Sequence, residues 1–444
     1  MAKHQVLRSA ILLTMSGIIA KSADFFFRAY YSRQLGTEGM GLLSLVFGIH
    51  GIMLTVATAG LGVAVSKVVS EYIEQNKAGA AHRSMKTAIF GVVCLSLFVI
   101  AATMVCAPFL AARILGDSRT RISICCLVPS ILFMGISYCI KGYFYATRRV
   151  LIPASSEILE QVVKFVVIKT LLSWWSPLGI EYACSAVFLG ISIGELSSCT
   201  YLSAFYLAAY RRGRHEPGAE EKGIARALLC ISVPTMLSSL IGSTLRMQED
   251  IWIVSSFERY GMTHELAVRA LGTVCGMIMP MLVFPLTLFG SMTNLLVPEI
   301  ARAAAVRNRK RLYRLTAKVY GAGLAAGLAV ALLFGLFARQ LSQLFYGTAE
   351  IAPTVSCLAF LAPVMFMDSL SCGILNGLGQ QFRMLKYNVL DSCVRLSAIW
   401  FLIPQYGSAA LIGMIIFSNL FTCSLTVHRV FKVLTRLTKH DIIN

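Results

Sequence analysis

Acids and bases recur four times inside stretches of this chain that are otherwise fit for a hydrocarbon environment. Lys21, Asp24 and Arg28 stand at i, i+3 and i+7. Glu160 and Lys164 stand four apart, Arg246 is followed by Glu249 and Asp250, and Asp391 is followed by Arg395. On a helix, residues three, four or seven apart share a face. An ionisable group at bilayer depth is costly and turns toward a partner or a wet cavity. Two chemistries therefore compete. An acid and a base four apart can neutralise each other, or the four groups can line a hydrated cavity. Recurrence at four places favours the cavity. Within it Arg28 and Arg246 suit an anion, because a guanidinium fork matches phosphate bidentately. Lys21 adds to that set, and Lys164 and Arg395 lie further along.

The elements that must position these residues are transmembrane helices. The chain has 444 residues, 57% apolar and 14% charged. Soluble domains run near ~45–50% apolar and ~25% charged, which excludes an ordinary soluble enzyme. Twelve candidate spans lie near 8–33, 41–66, 85–111, 122–146, 152–174, 180–210, 226–256, 268–300, 315–338, 351–378, 385–403 and 407–430. The fifth and eleventh contain charge. The first is a retained span and not a cleaved leader, because no small-residue cleavage site follows it. The net charge of +19 would suggest nucleic acid in a soluble protein, but no reading motif accompanies it. Counted on alternate sides, 27 basic residues fall on the side of both termini and 7 on the other. That asymmetry predicts both termini in the cytoplasm of a cell-membrane protein.

The rest of the pattern is mostly packing. The 13 cysteines lack metal-ligand or disulfide spacing and read as small buried hydrophobes. His50, alone in mid-span, reads as a packed polar residue. Gly323 and Gly327 form a small-xxx-small packing pair. Pro129, Pro234, Pro280, Pro285 and Pro363 interrupt spans and permit bends. No Walker A loop, His-Glu-x-x-His or Gly-x-Ser-x-Gly occurs, so nothing points to a catalytic site, a metal or an organic cofactor.

Two halves resemble each other. The stretch from Pro129 (PSILFMGISYCIKGYFYATRR) parallels that from Pro363 (PVMFMDSLSCGILNGLGQQFR), and the polar seam lies at 211–224. The expected fold is an all-α polytopic membrane protein of about twelve helices in two parallel six-helix lobes, 1–214 and 215–444. Parallel repeats of this kind are typical of transporters.

Residues 58–71 (TAGLGVAVSKVVSE), 373–379 (GILNGLG), 402–407 (LIPQYG), 296–303 (LVPEIARA) and 35–43 (LGTEGMGLL) resemble motifs of the stage V sporulation protein B-like polysaccharide exporters. These belong to the multidrug/oligosaccharidyl-lipid/polysaccharide flippase superfamily. The resemblance implies a V-shaped pair of lobes around a central cavity. It implies export of a polyprenyl-pyrophosphate-linked saccharide by alternating access, with membrane lipids and a glycan synthase or polymerase as partners. Arg28 matches the first-span cavity arginine of the related lipid II flippases. Asp250 matches an acidic residue of the seventh span. A sodium site of some relatives has Asp250, Asn388 and Asp391 as its nearest counterparts, with a different Asn–Asp spacing, so Na+ or H+ is the coupling ion the resemblance suggests. The alternative within the superfamily is a multidrug/cation antiporter. A membrane-embedded glycan-modifying enzyme would need a catalytic constellation that the sequence does not offer.

Overall fold

The computed structural model describes residues 2–75, 77–212, 223–290 and 309–439. Among them every regular element is a helix. In lipid no water can satisfy an open backbone, so a chain of this composition has little choice but helices.

The helices, numbered in chain order, are α1 (Ala2–Thr58), α2 (Leu61–Glu74), α3 (Ala78–Phe109, continued by a widened turn to Ile114), α4 (Thr120–Leu127), α5 (Ser130–Ala146), α6 (Leu151–Trp175) and α7 (Ile180–Arg212). There follow α8 (Ile224–Arg259), α9 (His264–Leu271, extended through a widened turn and residues 279–290), α10 (Arg309–Leu336), α11 (Ala338–Tyr346), α12 (Ala352–Ala359), α13 (Ala362–Gly377), α14 (Gln381–Tyr406) and α15 (Ser408–Lys439).

At 57 residues α1 would extend about 86 Å at 1.5 Å per residue, far more than one bilayer core. It is broken at Gly36 (φ 66°, ψ −171°). A second break follows at Ala59 (φ 46°) and Gly60 (φ 68°), before α2. A left-handed alanine is uncommon and marks a strongly constrained bend. These breaks divide the first 74 residues into two crossings.

Eight helical stretches among the described residues are long and apolar enough to cross a membrane, the first being the 60-residue stretch Met15–Glu74. The pair α12 and α13, bent by 53°, makes a ninth. Counting Met15–Glu74 twice and adding the charged helices α6 and α14, which have 25 and 26 residues, restores the twelve expected spans. Large apolar side chains such as Phe98, Val105, Leu336 and Phe401 are exposed, as a lipid-facing surface requires.

The repeat is visible in the helices. Pro129 separates α4 from α5, and Pro363 lies in the first turn of α13, just after the break from α12. Each broken pair is followed by a charged helix and then a long one. The expected seam falls largely on 213–222, outside the described residues, as does LVPEIARA.

The chain forms two compact units. The first comprises the residues up to Phe27 with Leu42–Met247, and the second comprises Arg28–Gly41 with the chain from Gln248 onward. The segment 28–41 joins the second unit for a physical reason. Gly41 and Gly272 let the two backbones touch, so that a Cβ on Gly272 would strike Thr37 and Gly41. Arg269 bonds Glu38 at 3.1 Å, and Arg33 Nε donates to the Phe345 carbonyl at 3.0 Å.

The core of the first unit is built from Leu61, Val65, Met85, Phe144 and Leu202. That of the second is built from Tyr320, Leu370, Ile374 and Val430. His50 is buried with Nε2 3.1 Å from Ser130 Oγ, a packed polar residue as expected. Gly323 lies against Leu370 and Gly327 against Pro363, so that pair is a packing device. All 13 cysteines are free thiols, but Cys94, Cys106, Cys230, Cys357 and Cys393 are exposed, against the expectation of burial. A thiol is apolar enough to face lipid as readily as a core.

Candidate functional site

In the first unit α6 packs along α7 because Gly190 and Gly194 present no side chain to it. A Cβ on Gly194 would lie 3.0 Å from Lys164 Cβ, and one on Gly190 would strike Ile168. That approach brings the buried Glu195 to face Glu160, with Lys141 and Lys164 nearby. Lys164 Nζ bonds Asp24 Oδ1 on α1 at 2.9 Å. Lys141 Nζ stands 3.4 Å from Glu157 Oε1. Lys21 and Arg246 are exposed. Arg246 Nε reaches only the Gly242 carbonyl of its own helix, at 3.4 Å.

Also within this unit is a cavity of about 830 Å³, walled by the end of α1, the first turns of α2, α5, Glu157 of α6 and the first half of α8. The α2–α5 contact beside it is very close. A Cβ on Gly142 would lie 2.5 Å from the Gly62 carbonyl.

In the second unit Arg395 bridges two acids, with Nη1 3.2 Å from Glu249 Oε2 and Nε 3.2 Å from Asp391 Oδ2. Ser418 Oγ donates to Asp391 Oδ1 at 2.7 Å, and Thr426 Oγ1 donates to Asp368 Oδ1 at 2.8 Å. Arg28 belongs to this unit, beside Tyr346 and Cys275, and its buried Nε has no hydrogen-bond partner among the described residues. Asp250 also lies by Cys275. Asn388 is exposed on α14, one turn before Asp391.

The structure therefore sorts the predicted residues into two groups. Lys21, Asp24, Lys164 and Arg246 lie in the first unit; Arg28, Asp250, Asn388, Asp391 and Arg395 lie in the second. Of the four expected acid–base pairs four residues apart, Asp391–Arg395 forms as an ion pair at 3.2 Å. Lys164 reaches across 140 residues to Asp24 on α1. A parallel emerges that spacing alone could not reveal. In each unit an acid on the first long helix, Asp24 or Glu249, bonds a base on the charged helix, Lys164 or Arg395.

Sequence reasoning missed Glu195, Asp368 and Glu157, the last beside the singled-out Glu160, and did not single out Lys141 within α5. The signal for Glu195 was the small-residue spacing Gly190-xxx-Gly194 immediately before it.

Over its full length the chain is 26% identical to stage V sporulation protein B of Bacillus subtilis (strain 168), covering 87% of that protein. Over 36% of the chain and 31% of the partner it is 21% identical to the lipid II flippase of the same organism. Its fold is similar to that of an inward-facing multidrug resistance MATE family transporter of the MOP superfamily, at TM-score 0.74 and 15% identity, covering 97% and 99% of the two chains. Residues 6–287 match the polysaccharide biosynthesis protein family, and the chain belongs to that family.

Proposed function

We propose that this membrane protein flips a polyprenyl-pyrophosphate-linked saccharide across the cytoplasmic membrane by alternating access. One observation carries the reading. Asp24, Glu157, Glu249 and Asp391 each lie against a base. Lys21, Arg28 and Arg246 have no carboxylate at ion-pair distance among the described residues. These three cations at span positions are thus left for an anionic group such as a pyrophosphate. Family membership and the relative that is a lipid II flippase support the same cargo class.

In this mechanism no bond is made or broken. Arg28, Arg246 and Lys21 are the groups offered to phosphate, Lys164 and Arg395 carry further positive charge, and the lipid tail stays in the bilayer. The basic-residue asymmetry of 27 against 7 supports a reading with both termini in the cytoplasm. A coupling ion, Na+ or H+, would fall to Asp250 with Asn388 and Asp391. Asp391 also accepts from Ser418 and pairs with Arg395.

The test is reconstitution into vesicles, with external capture of lipid II or another polyprenyl-linked glycan as readout. Arg28→Ala and Arg246→Ala are expected to abolish translocation at normal expression and monodispersity. Unchanged rates in both variants would overturn the anion reading. Transport of a hydrophobic cation with no movement of any lipid-linked glycan would replace it with the antiporter.

A further inference from the structure

The cavity of about 830 Å³ in the first unit contains none of the five cationic residues assigned to the phosphate or the three assigned to ion coupling. Every residue that lines it belongs to that unit. Its volume lies inside the range of roughly 300–1,000 Å³ usual for small-molecule sites.

Its polar groups have a definite economy. Thr55, Thr58, Ser70 and Thr235 donate their hydroxyl protons to carbonyls of their own helices at 2.7–2.9 Å. Their oxygens are left facing outward as acceptors. The hydroxyls of Ser66, Ser239, Tyr138 and Tyr145 line the same cavity and make no hydrogen bond among the described residues. They remain donors in search of acceptors. Tyr138 and Tyr145 stand seven apart on α5, hence on one face, and are 44% and 38% exposed, so their rings form an open aromatic wall. Two lysines complete the lining. Lys141 is loosely held by Glu157 at 3.4 Å, whereas Lys67 is exposed with no acid at ion-pair distance among the described residues.

Hydroxyl donors and acceptors interleaved around aromatic faces match a sugar ring, which presents hydroxyls at its rim and C–H groups on its faces. One unneutralised ammonium adds a preference for a single negative charge. We propose that this cavity is a saccharide subsite. It receives a glycan bearing one acidic group, with Lys67 on the acid, the tyrosines against the ring, and Ser66 and Ser239 on the hydroxyls. The acid is a sugar carboxylate or a phosphate ester; both offer the same anionic oxygens. The inference rests on the proposed lipid-linked saccharide cargo and names the part of the cargo recognised here.

The test uses the full-length protein in detergent and lipid-free probes. The probes are a glucuronic-acid-containing disaccharide, N-acetylglucosamine 1-phosphate, neutral diacetylchitobiose and inorganic phosphate. Lys67→Gln should weaken the acidic glycans about tenfold and leave diacetylchitobiose unchanged, as expected for the loss of one charge-assisted bond. Lys67→Arg should restore them. The Tyr138→Ala/Tyr145→Ala double variant should weaken all three glycans, with Tyr138→Phe/Tyr145→Phe as a folded control that keeps the rings. The ratio of the two acidic probes identifies the source of the charge.

Equal binding of inorganic phosphate and the acidic glycans would overturn the saccharide assignment, as would indifference of every glycan to the Lys67 and tyrosine variants. The outcome separates from that of the vesicle assay. If lipid-linked glycan moves but Lys67→Gln is neutral in both assays, the subsite is wrong and the flippase stands. If Lys67-dependent glycan binding occurs without lipid-linked transport, the subsite stands and the flippase reading fails.

Discussion

Arg395 is the residue on which most of the second unit's charge balance converges. It pairs with Glu249 and Asp391, whose side chains are about one-tenth exposed. Removing it leaves two carboxylates in a poorly solvated place, and breaking a buried pair in this way costs about 3–5 kcal/mol. Arg395→Leu is therefore expected to lower the unfolding temperature in detergent sharply, and Glu249→Gln in the same background should recover part of the loss. Asp24, with its side chain 55% exposed, contributes far less through Lys164, about 1 kcal/mol or below. The charged residues themselves were legible in the sequence because they are anomalous in apolar runs. Apart from Asp391–Arg395, their partners were not. Spacing on one helix predicts neighbours on that helix, and Lys164 and Arg395 reach across to another.

At the scale of elements, glycine does two jobs that sequence separates poorly. The motifs that carried the family resemblance mark helix breaks and ends: Gly36, Gly60, Gly379 and Gly407 all have positive φ. The packing glycines look no different. Gly323 and Gly327 were readable by their spacing, while Gly62 and Gly142, on separate helices, became a pair only when α2 met α5. A leucine at Gly142 would have to displace the Gly62 backbone, and overpacking of this kind costs about 1–3 kcal/mol or more. Gly142→Leu should accordingly give aggregated protein or a clearly lowered unfolding temperature. Gly413→Leu, where a Cβ meets nothing within 4 Å, should behave like the parent. The opposite ranking would mean that the α2–α5 contact is not close-packed in the bilayer.

For the whole molecule, composition alone was enough to read a multi-pass helical protein. The division into units was harder, because Arg28–Gly41 follows Gly36 and the Gly41–Gly272 contact into the second unit and no single cut in the chain describes that. If the cargo is anionic, its exit from a negative cytoplasm is favoured by about 2.3 kcal/mol per charge per 100 mV. Collapsing the membrane potential should lower the outer-leaflet level of a pyrophosphate-linked glycan and leave a neutral polyprenyl glycan unaffected. Asp250→Asn should remove any residual dependence on a sodium or proton gradient. Persistence of that dependence would take Asp250 out of the coupling role.

The two cross-helix ion pairs also constrain how the protein is made. In both units the acid lies on a helix synthesised well before its base: Asp24 precedes Lys164 by 140 residues, and Glu249 precedes Arg395. The helices that bring the bases, α6 and α14, are the two that apolarity alone does not qualify to cross. Each leaves the ribosome when its counter-charge already waits in the bilayer, so the earlier helix serves as an internal receptor for the later one. Assembly in the order of synthesis is therefore the expected course, with the first helix of each half at hand when the fifth arrives.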